Sequence, residues 1–232
     1  MTSQAVRDPL SDHLLTPQNC ALVIIDYQPS QVQTVTSIDH DLLVRNIVSV
    51  ARLGKAYGLP IVLSTVNVAA NGQPPTIPEL KEVLSGLVEI DRTQINSWED
   101  VEFRQAVEAT GRKNIIMTGL WTEVCITWPT IEMLGAGYNI YVVEDCCGAT
   151  SPAAQEAALS RMVQAGAVRL TTIGALLEWQ RDWKNKEHYN ALMGLLKQQA
   201  GAYGIGVEYA YTMVHHAPQS AQKPQIVPKK AS

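Results

Sequence analysis

Long apolar runs are missing from this sequence. No stretch approaches the roughly 18 consecutive apolar residues of a membrane span, so no membrane partner is expected. Charge is also sparse, at 17% of residues, and the formal net charge of −4 leaves no basic footprint for nucleic acid or an anionic bilayer. Phosphate-cradling glycine motifs are absent: no G-x-G-x-x-G follows a strand pattern, and no Walker sequence occurs. The five histidines, His13, His40, His188, His215 and His216, form no ligand cluster, and neighbours such as His215 and His216 seldom share one metal. Neither a metal nor any other cofactor is expected. The four cysteines, Cys20, Cys125, Cys146 and Cys147, do not suggest a disulfide framework in a chain of this size. The first 17 residues are polar and interrupted by proline, without the apolar stretch of a signal peptide, so a reducing cytoplasm is the expected location.

What is present is globular. Apolar residues make up 46% of 232, enough for one large α/β domain, and the low charge density points to buried subunit surface. Strand and helix signals alternate. Cys20–Asp26, Pro60–Thr65, Asn114–Thr118, Asn139–Val143 and Val168–Thr172 read as strands, with a shorter one at Val88–Asp91. The continuous apolar run before Asp26 is that of a strand buried on both faces. Leu42–Tyr57 has helical periodicity and stops at Gly58, with Pro60 beyond. Asn71–Pro78 reads as a Gly/Pro-rich loop and Glu79–Leu84 as a short helix. Ser97 reads as the N-cap of a helix through Ala109, Glu123–Leu134 as the next helix, Pro152–Ala165 as another, and Ile173–Trp183 as the last regular one. Such alternation implies a three-layer α/β/α fold around a doubly wound, parallel six-stranded sheet of order 3-2-1-4-5-6, Rossmann-like in architecture. Residues 1–16 are expected to form an N-terminal arm, 17–183 the domain, and 184–232 a C-terminal extension that contacts other subunits and ends in a loose Pro/Gln/Lys-rich tail.

Two positions carry chemistry. Cys125 falls at a strand-to-helix turn, on the expected first turn of a helix, where backbone N–H groups and the helix dipole lower a thiol's pKa. Asp26 directly follows an apolar strand. It either caps the next turn through its side chain or acts as a general base. In the expected strand order, strands 1 and 4 are neighbours, and the crevice beyond their carboxyl ends is where such folds bind ligands. Asp26 and Cys125 would meet there.

The segment Gly119-Leu120-Trp121-Thr122-Glu123-Val124-Cys125, Asp26 with Gln28, and Glu144-Asp145 together resemble the isochorismatase-like cysteine hydrolases. Asn96-x-Trp98, Pro78-Glu79-Leu80 and Arg181-Asp182-Trp183 resemble in particular the YcaC-like hydrolases of unknown substrate. The resemblance implies an Asp, Lys, Cys triad. Asp26 and Cys125 fill two places; the third falls in Asp91–Asn96, which holds no lysine, so Arg92 is its expected occupant. Arginine keeps its proton and can act only through charge and position. The competing reading of Arg92 is an ordinary salt bridge in a loop. The resemblance also implies a nucleophilic mechanism on a small amide or related C–N bond, with the backbone N–H groups of Thr122 and Cys125 holding the oxyanion and a cis peptide at Trp121–Thr122. Gln28, Thr65, Asn67, Asn96, Trp98 and Trp121 are expected to line the pocket, although tryptophans at such positions also serve as core filler. A homo-oligomer, octameric by resemblance, is expected. The alternatives are a binder or scaffold that keeps the fold, and thiol redox chemistry of Cys125 with Cys146 or Cys147.

Overall fold

A computed structural model describes residues 8–214. The chain divides into two compact units between Leu192 and Met193. Six parallel strands, β1 (Cys20–Ile25), β2 (Ile61–Val66), β3 (Glu89–Arg92), β4 (Asn114–Leu120), β5 (Asn139–Gly148) and β6 (Val168–Leu170), form one sheet in the order β3-β2-β1-β4-β5-β6, as expected. β1 is central and every one of its residues is buried, which is why it reads as an unbroken apolar run. Its odd-numbered side chains, Ala21, Val23 and Ile25, join a core cluster with Phe103, Val107, Met133 and Leu159 on one face. Leu22 faces the other way: a Cβ on Gly54 would lie 3.2 Å from it.

The short helix α1 (Pro29–Gln33) leaves β1, and the long helix α2 (His40–Ala56) returns the chain to β2. Asp39 opens α2 by accepting the Leu42 N–H. Helices α3 (Val68–Asn71) and α4 (Pro78–Val83) lie between β2 and β3; the first occupies residues that read as the approach to a Gly/Pro loop. Helix α5 (Val101–Ala109) begins later than expected. Asn96 Oδ1 accepts the Trp98 N–H at 3.1 Å and winds Ser97–Glu99 into a separate 3₁₀ turn, leaving Asp100 to cap α5 at Phe103 N, 2.8 Å away. Helices α6 (Thr127–Gly135), α7 (Pro152–Gln164) and α8 (Thr172–Gln180) complete the layers, with α2 and α8 packed together on one face and α6 against α7 on the other. β5 runs past Val143 to Gly148, so Glu144, Asp145, Cys146 and Cys147 lie within a strand whose register shifts between Met117 and Gly119 of its neighbour. The carboxyl group of Asp145 accepts both the backbone N–H and the hydroxyl of Thr172, at 2.7 and 2.9 Å, as a capping acid.

In the second unit, the end of α9 (Tyr189–Gln199) and α10 (Gly201–Tyr209) are joined by a Lys197–Glu208 ion pair of 2.9 Å. A side chain at Gly204 would collide with the Leu196 carbonyl, so glycine permits that close approach. His215 and His216, and the expected loose tail from Ala217, lie outside the described residues, as do residues 1–7 of the expected N-terminal arm. No helix of the described residues is long and apolar enough to cross a membrane.

Candidate active site

The site is set by the two central strands. Ile25, the last residue of β1, pairs with Gly119 of β4. A Cβ at Gly119, whose φ is +154°, would run into the Ile25 carbonyl oxygen and lie 2.6 Å from Ile126 Cδ1, so only glycine lets the strand ends close at this point. Immediately beyond, Asp26 takes a left-handed conformation with φ 57°, turning the chain out of the sheet while its N–H donates to Ser64 O of β2 at 2.9 Å. Its carboxylate is thereby held over the carboxyl ends of the strands.

Arg92, the last residue of β3, reaches across β2. Its Nη2 donates to Asp26 Oδ2 at 2.8 Å, and both side chains are fully buried. This is a single contact rather than a fork. Asp26 Oδ1 and Arg92 Nε and Nη1 are buried with no hydrogen-bond partner among the described residues by the usual distance and angle limits. The Cys125 thiol lies near enough to the same carboxylate for each group to shift the other's proton affinity. Burial pushes Asp26 up to about 6, against the opposing pull of Arg92 and the thiol. Burial, then the negative charge of Asp26, pushes the Cys125 thiol up to about 12, with Arg92 and a backbone hydrogen bond from Trp121 acting in the opposite sense.

The thiol is thus held protonated, contrary to the lowered pKa expected of a helix start. The reason is local. Thr122–Ile126 forms a π-helical turn, Cys125 lies near its end with 5% exposure, and α6 begins only at Thr127. Desolvation there outweighs the contribution of the helix dipole. A second correction concerns the cis peptide. It joins Leu120 to Trp121, one residue before the expected Trp121–Thr122, because β4 extends through Leu120 and the chain leaves the sheet at that bond. Trp121 O accepts the N–H groups of Val124 and Ile126, and Trp121 Nε1 donates to Thr34 Oγ1 at 2.8 Å, which fixes the turn against the segment after α1. Thr122 is buried, its hydroxyl without a partner among the described residues.

The expected pocket residues divide into two groups. Gln28, Thr65 and Asn67 lie beside Asp26 and Arg92 at the strand ends. Gln28 is fully buried and its amide is committed to the backbone: Nε2 donates to Val66 O and Pro74 O at 3.1 and 2.7 Å, and Oε1 accepts Val66 N at 2.9 Å. It braces the end of β2. Asn67, left-handed at φ 60°, donates its N–H to Arg92 O at 2.8 Å. Asn96 is occupied in its own turn, and Trp98 is core filler, edge-on to Tyr138 at 5.5 Å with the Arg104 guanidinium 5.2 Å from its ring centre.

One supporting residue escaped the sequence reading. Asp91 accepts from Val68 N, Ala69 N and Thr65 Oγ1, at 3.0, 2.9 and 3.2 Å, and so ties the β2–α3 turn to the strand that delivers Arg92. Burial opposes its charge, but these donors outweigh it and hold its carboxyl below the usual range. The available signal was the one that singled out Asp26, an acid at a strand's end. Among the described residues no group of three or more His, Cys, Asp or Glu is placed to hold a metal ion, and all four cysteines are free and buried.

Residues 20–173 match the Isochorismatase domain family. The chain is 34% identical over 173 residues to the probable hydrolase YcaC of Escherichia coli (strain K12), an alignment covering 74% of this chain and 82% of YcaC. The crystal structure of the E. coli YcaC gene product, an octameric hydrolase of unknown specificity, superposes with a TM-score of 0.80 at 29% identity, covering 92% of this chain and all of that one. YcaC from Pseudomonas aeruginosa, solved with hexane-2,5-diol and covalent acrylamide, superposes with a TM-score of 0.79 at 30% identity, covering 84% of this chain and 96% of that one. With the domain matched over most of its length and the sheet order reproduced, this chain belongs to the isochorismatase-like hydrolase family.

Proposed function

We propose that the protein is a cysteine hydrolase that cleaves a small amide or related C–N bond, with Cys125 as nucleophile, Asp26 as general base and Arg92 as the fixed positive charge paired with Asp26. The observation that carries this reading is the fully buried Arg92–Asp26 pair with the Cys125 thiol against the same carboxylate. A thiol held near 12 does not accumulate as thiolate. Its proton passes to Asp26 as the S–C bond forms. The oxyanion that results is met by the backbone N–H groups of Thr122 and Cys125, in the turn that follows β4. Collapse expels the amine, which takes the proton from Asp26 and leaves a thioester. Water then attacks, giving a proton to Asp26; the acid leaves and the sulfur recovers its proton. Gln28, Thr65, Asn67 and Trp121 frame the space in which this occurs.

The P. aeruginosa relative carries covalent acrylamide, and acrylamide is an electrophile toward thiols, which supports a reactive nucleophile in proteins of this kind. The E. coli octamer supports a homo-oligomer here, to be checked by light scattering; a monomer in dilute solution would reject it. A second reading, a non-hydrolytic small-molecule binder, draws on the raised thiol pKa and the arginine in the triad. The deciding experiment screens small amides and imides against the wild type and Cys125→Ala, following amine release and covalent adducts by mass spectrometry. Turnover and adduct that both vanish in Cys125→Ala support the hydrolase. Turnover that survives the substitution eliminates it, and ligand binding without turnover in either protein favours the binder.

A further inference from the structure

In a parallel sheet all strands end at one edge, and the loops leaving that edge surround the site. Here those loops, residues 26–39, 67–77, 93–100, 121–126, 149–151 and 171, contain no lysine, arginine or histidine. His40, exposed at the start of α2, has its Nε2 on the Val35 carbonyl at 2.7 Å. Arg169 of the far strand β6 is paired with Glu144 at 2.7 Å and Glu156 at 3.5 Å. Arg92 is therefore the one cation delivered to the centre of this edge among the described residues, and Asp26 already neutralises it. The loop acids have partners too, although Glu123 Oε2 is buried without one among the described residues. Asp39 and Asp100 cap helices, Glu99 takes the Asn96 amide, and Glu123 Oε1 accepts the backbone and hydroxyl of Thr150 at 3.0 and 2.7 Å.

We infer that the substrate of this site is an uncharged small carbonyl compound of the amide class, carrying no carboxylate, phosphate or ammonium group. A charge taken out of water needs a partner of opposite sign. The buried centre consists of one cation, one anion and a thiol, and is balanced without a ligand. An anionic substrate would compete with Asp26 for Arg92 and disable the base; a cationic one would compete with Arg92 for Asp26. A neutral carbonyl makes neither demand, and the backbone N–H groups proposed above for its oxygen carry no net charge. This inference names the substrate class of the hydrolase proposed above and rests on that reading for the reaction, but the selection by charge can be measured separately.

The test uses three alkylating probes of similar size: iodoacetamide (neutral), iodoacetate (anionic) and bromoethylamine (cationic). In each case sulfur displaces halide, the thiol proton passing to Asp26 and the halide to solvent. Modification of Cys125 is followed by mass spectrometry, with Cys125→Ala as background, and each rate is divided by that for a free thiol such as N-acetylcysteine. Iodoacetamide is expected to lead both ions by about 30-fold or more, about 2 kcal/mol of discrimination. An ionic probe that equals or exceeds it overturns the inference. If no probe modifies Cys125, thermal shifts with propionamide, propionate and propylammonium decide: a shift confined to the amide supports the inference, and an equal shift with an ion, or none with the amide, overturns it. Neutral preference without amine release from any amide leaves the charge selection standing and removes the hydrolase reading.

Discussion

Replacing Arg92 by methionine keeps an unbranched apolar stem and removes the guanidinium with its charge, so it measures what that charge does for Asp26. The two groups meet at 2.8 Å with neither exposed. With charge centres about 4 Å apart and an effective dielectric constant of about 20, their attraction is about 4 kcal/mol. That is equivalent to about three pH units in the proton affinity of Asp26. In the native protein Asp26 titrates at about 6, so the base is available above that pH, and the rate of Cys125 modification by iodoacetamide should fall as pH drops through 6. In Arg92→Met the same acid limb should move up by about three pH units, and at neutral pH modification should slow by about 100-fold or more. Arg92→Lys restores the charge and should return the limb to near 6. The assay is the rate of mass gain at Cys125 between pH 4.5 and 9.5. An acid limb left in place in Arg92→Met, with the fold intact by circular dichroism, would refute the assignment of Arg92 as the charge that keeps Asp26 ionised.

Asp26 also links stability to pH. Its folded-state value of about 6 is above the ordinary 3.8, so its contribution is fully present below the ordinary value and is lost as pH rises through 6; urea midpoints of Asp26→Asn should show a weaker dependence across that window than the wild type. Gly119→Ala should cost about 3 kcal/mol or more by overpacking against Ile25 and Ile126, read as a lower urea midpoint at unchanged slope; a loss under about 1 kcal/mol would show that the strand ends can part. Gln28→Met keeps the volume but strands Val66 N, Val66 O and Pro74 O without their partner, and should cost about 1–3 kcal/mol in the same assay, with slower Cys125 modification as the β2 end loosens.

The elements most legible in the sequence were those whose environment is uniform. β1 and β4 lie at the centre of a parallel sheet, covered on both faces, and their apolar runs report that directly. Their order followed from strand–helix alternation, and with it the meeting of Asp26 and Cys125. Arg92 came only from resemblance, since nothing local distinguishes it from any arginine after a strand. Features that depend on three-dimensional surroundings were less legible. α10 contains Gly201, Gly204 and Gly206, which argue against a helix locally, but the close approach of Gly204 to Leu196 makes the helix pack. Ser97 and Asp100 are both good caps, and the choice between them turned on the Asn96 side chain. The state of the thiol was the plainest miss: a helix start argues for a lowered pKa, whereas burial, which decides the matter, is a property of the folded chain.

The central position of β1 has a consequence for how the protein matures. Asp26 and Arg92 are 66 residues apart in sequence, and the backbone N–H that seats Asp26 is received by Ser64 of a different strand. Closing such loops costs chain entropy before any contact repays it, so pairings of long sequence separation form slowly. No hairpin or helical segment of this chain can hold the three groups together; they meet only when β4, β1, β2 and β3 have all docked in register. The chemistry is therefore a report on those four strands, and a chain that has formed its helices but not its central pairing should be spectroscopically folded in part and chemically inert.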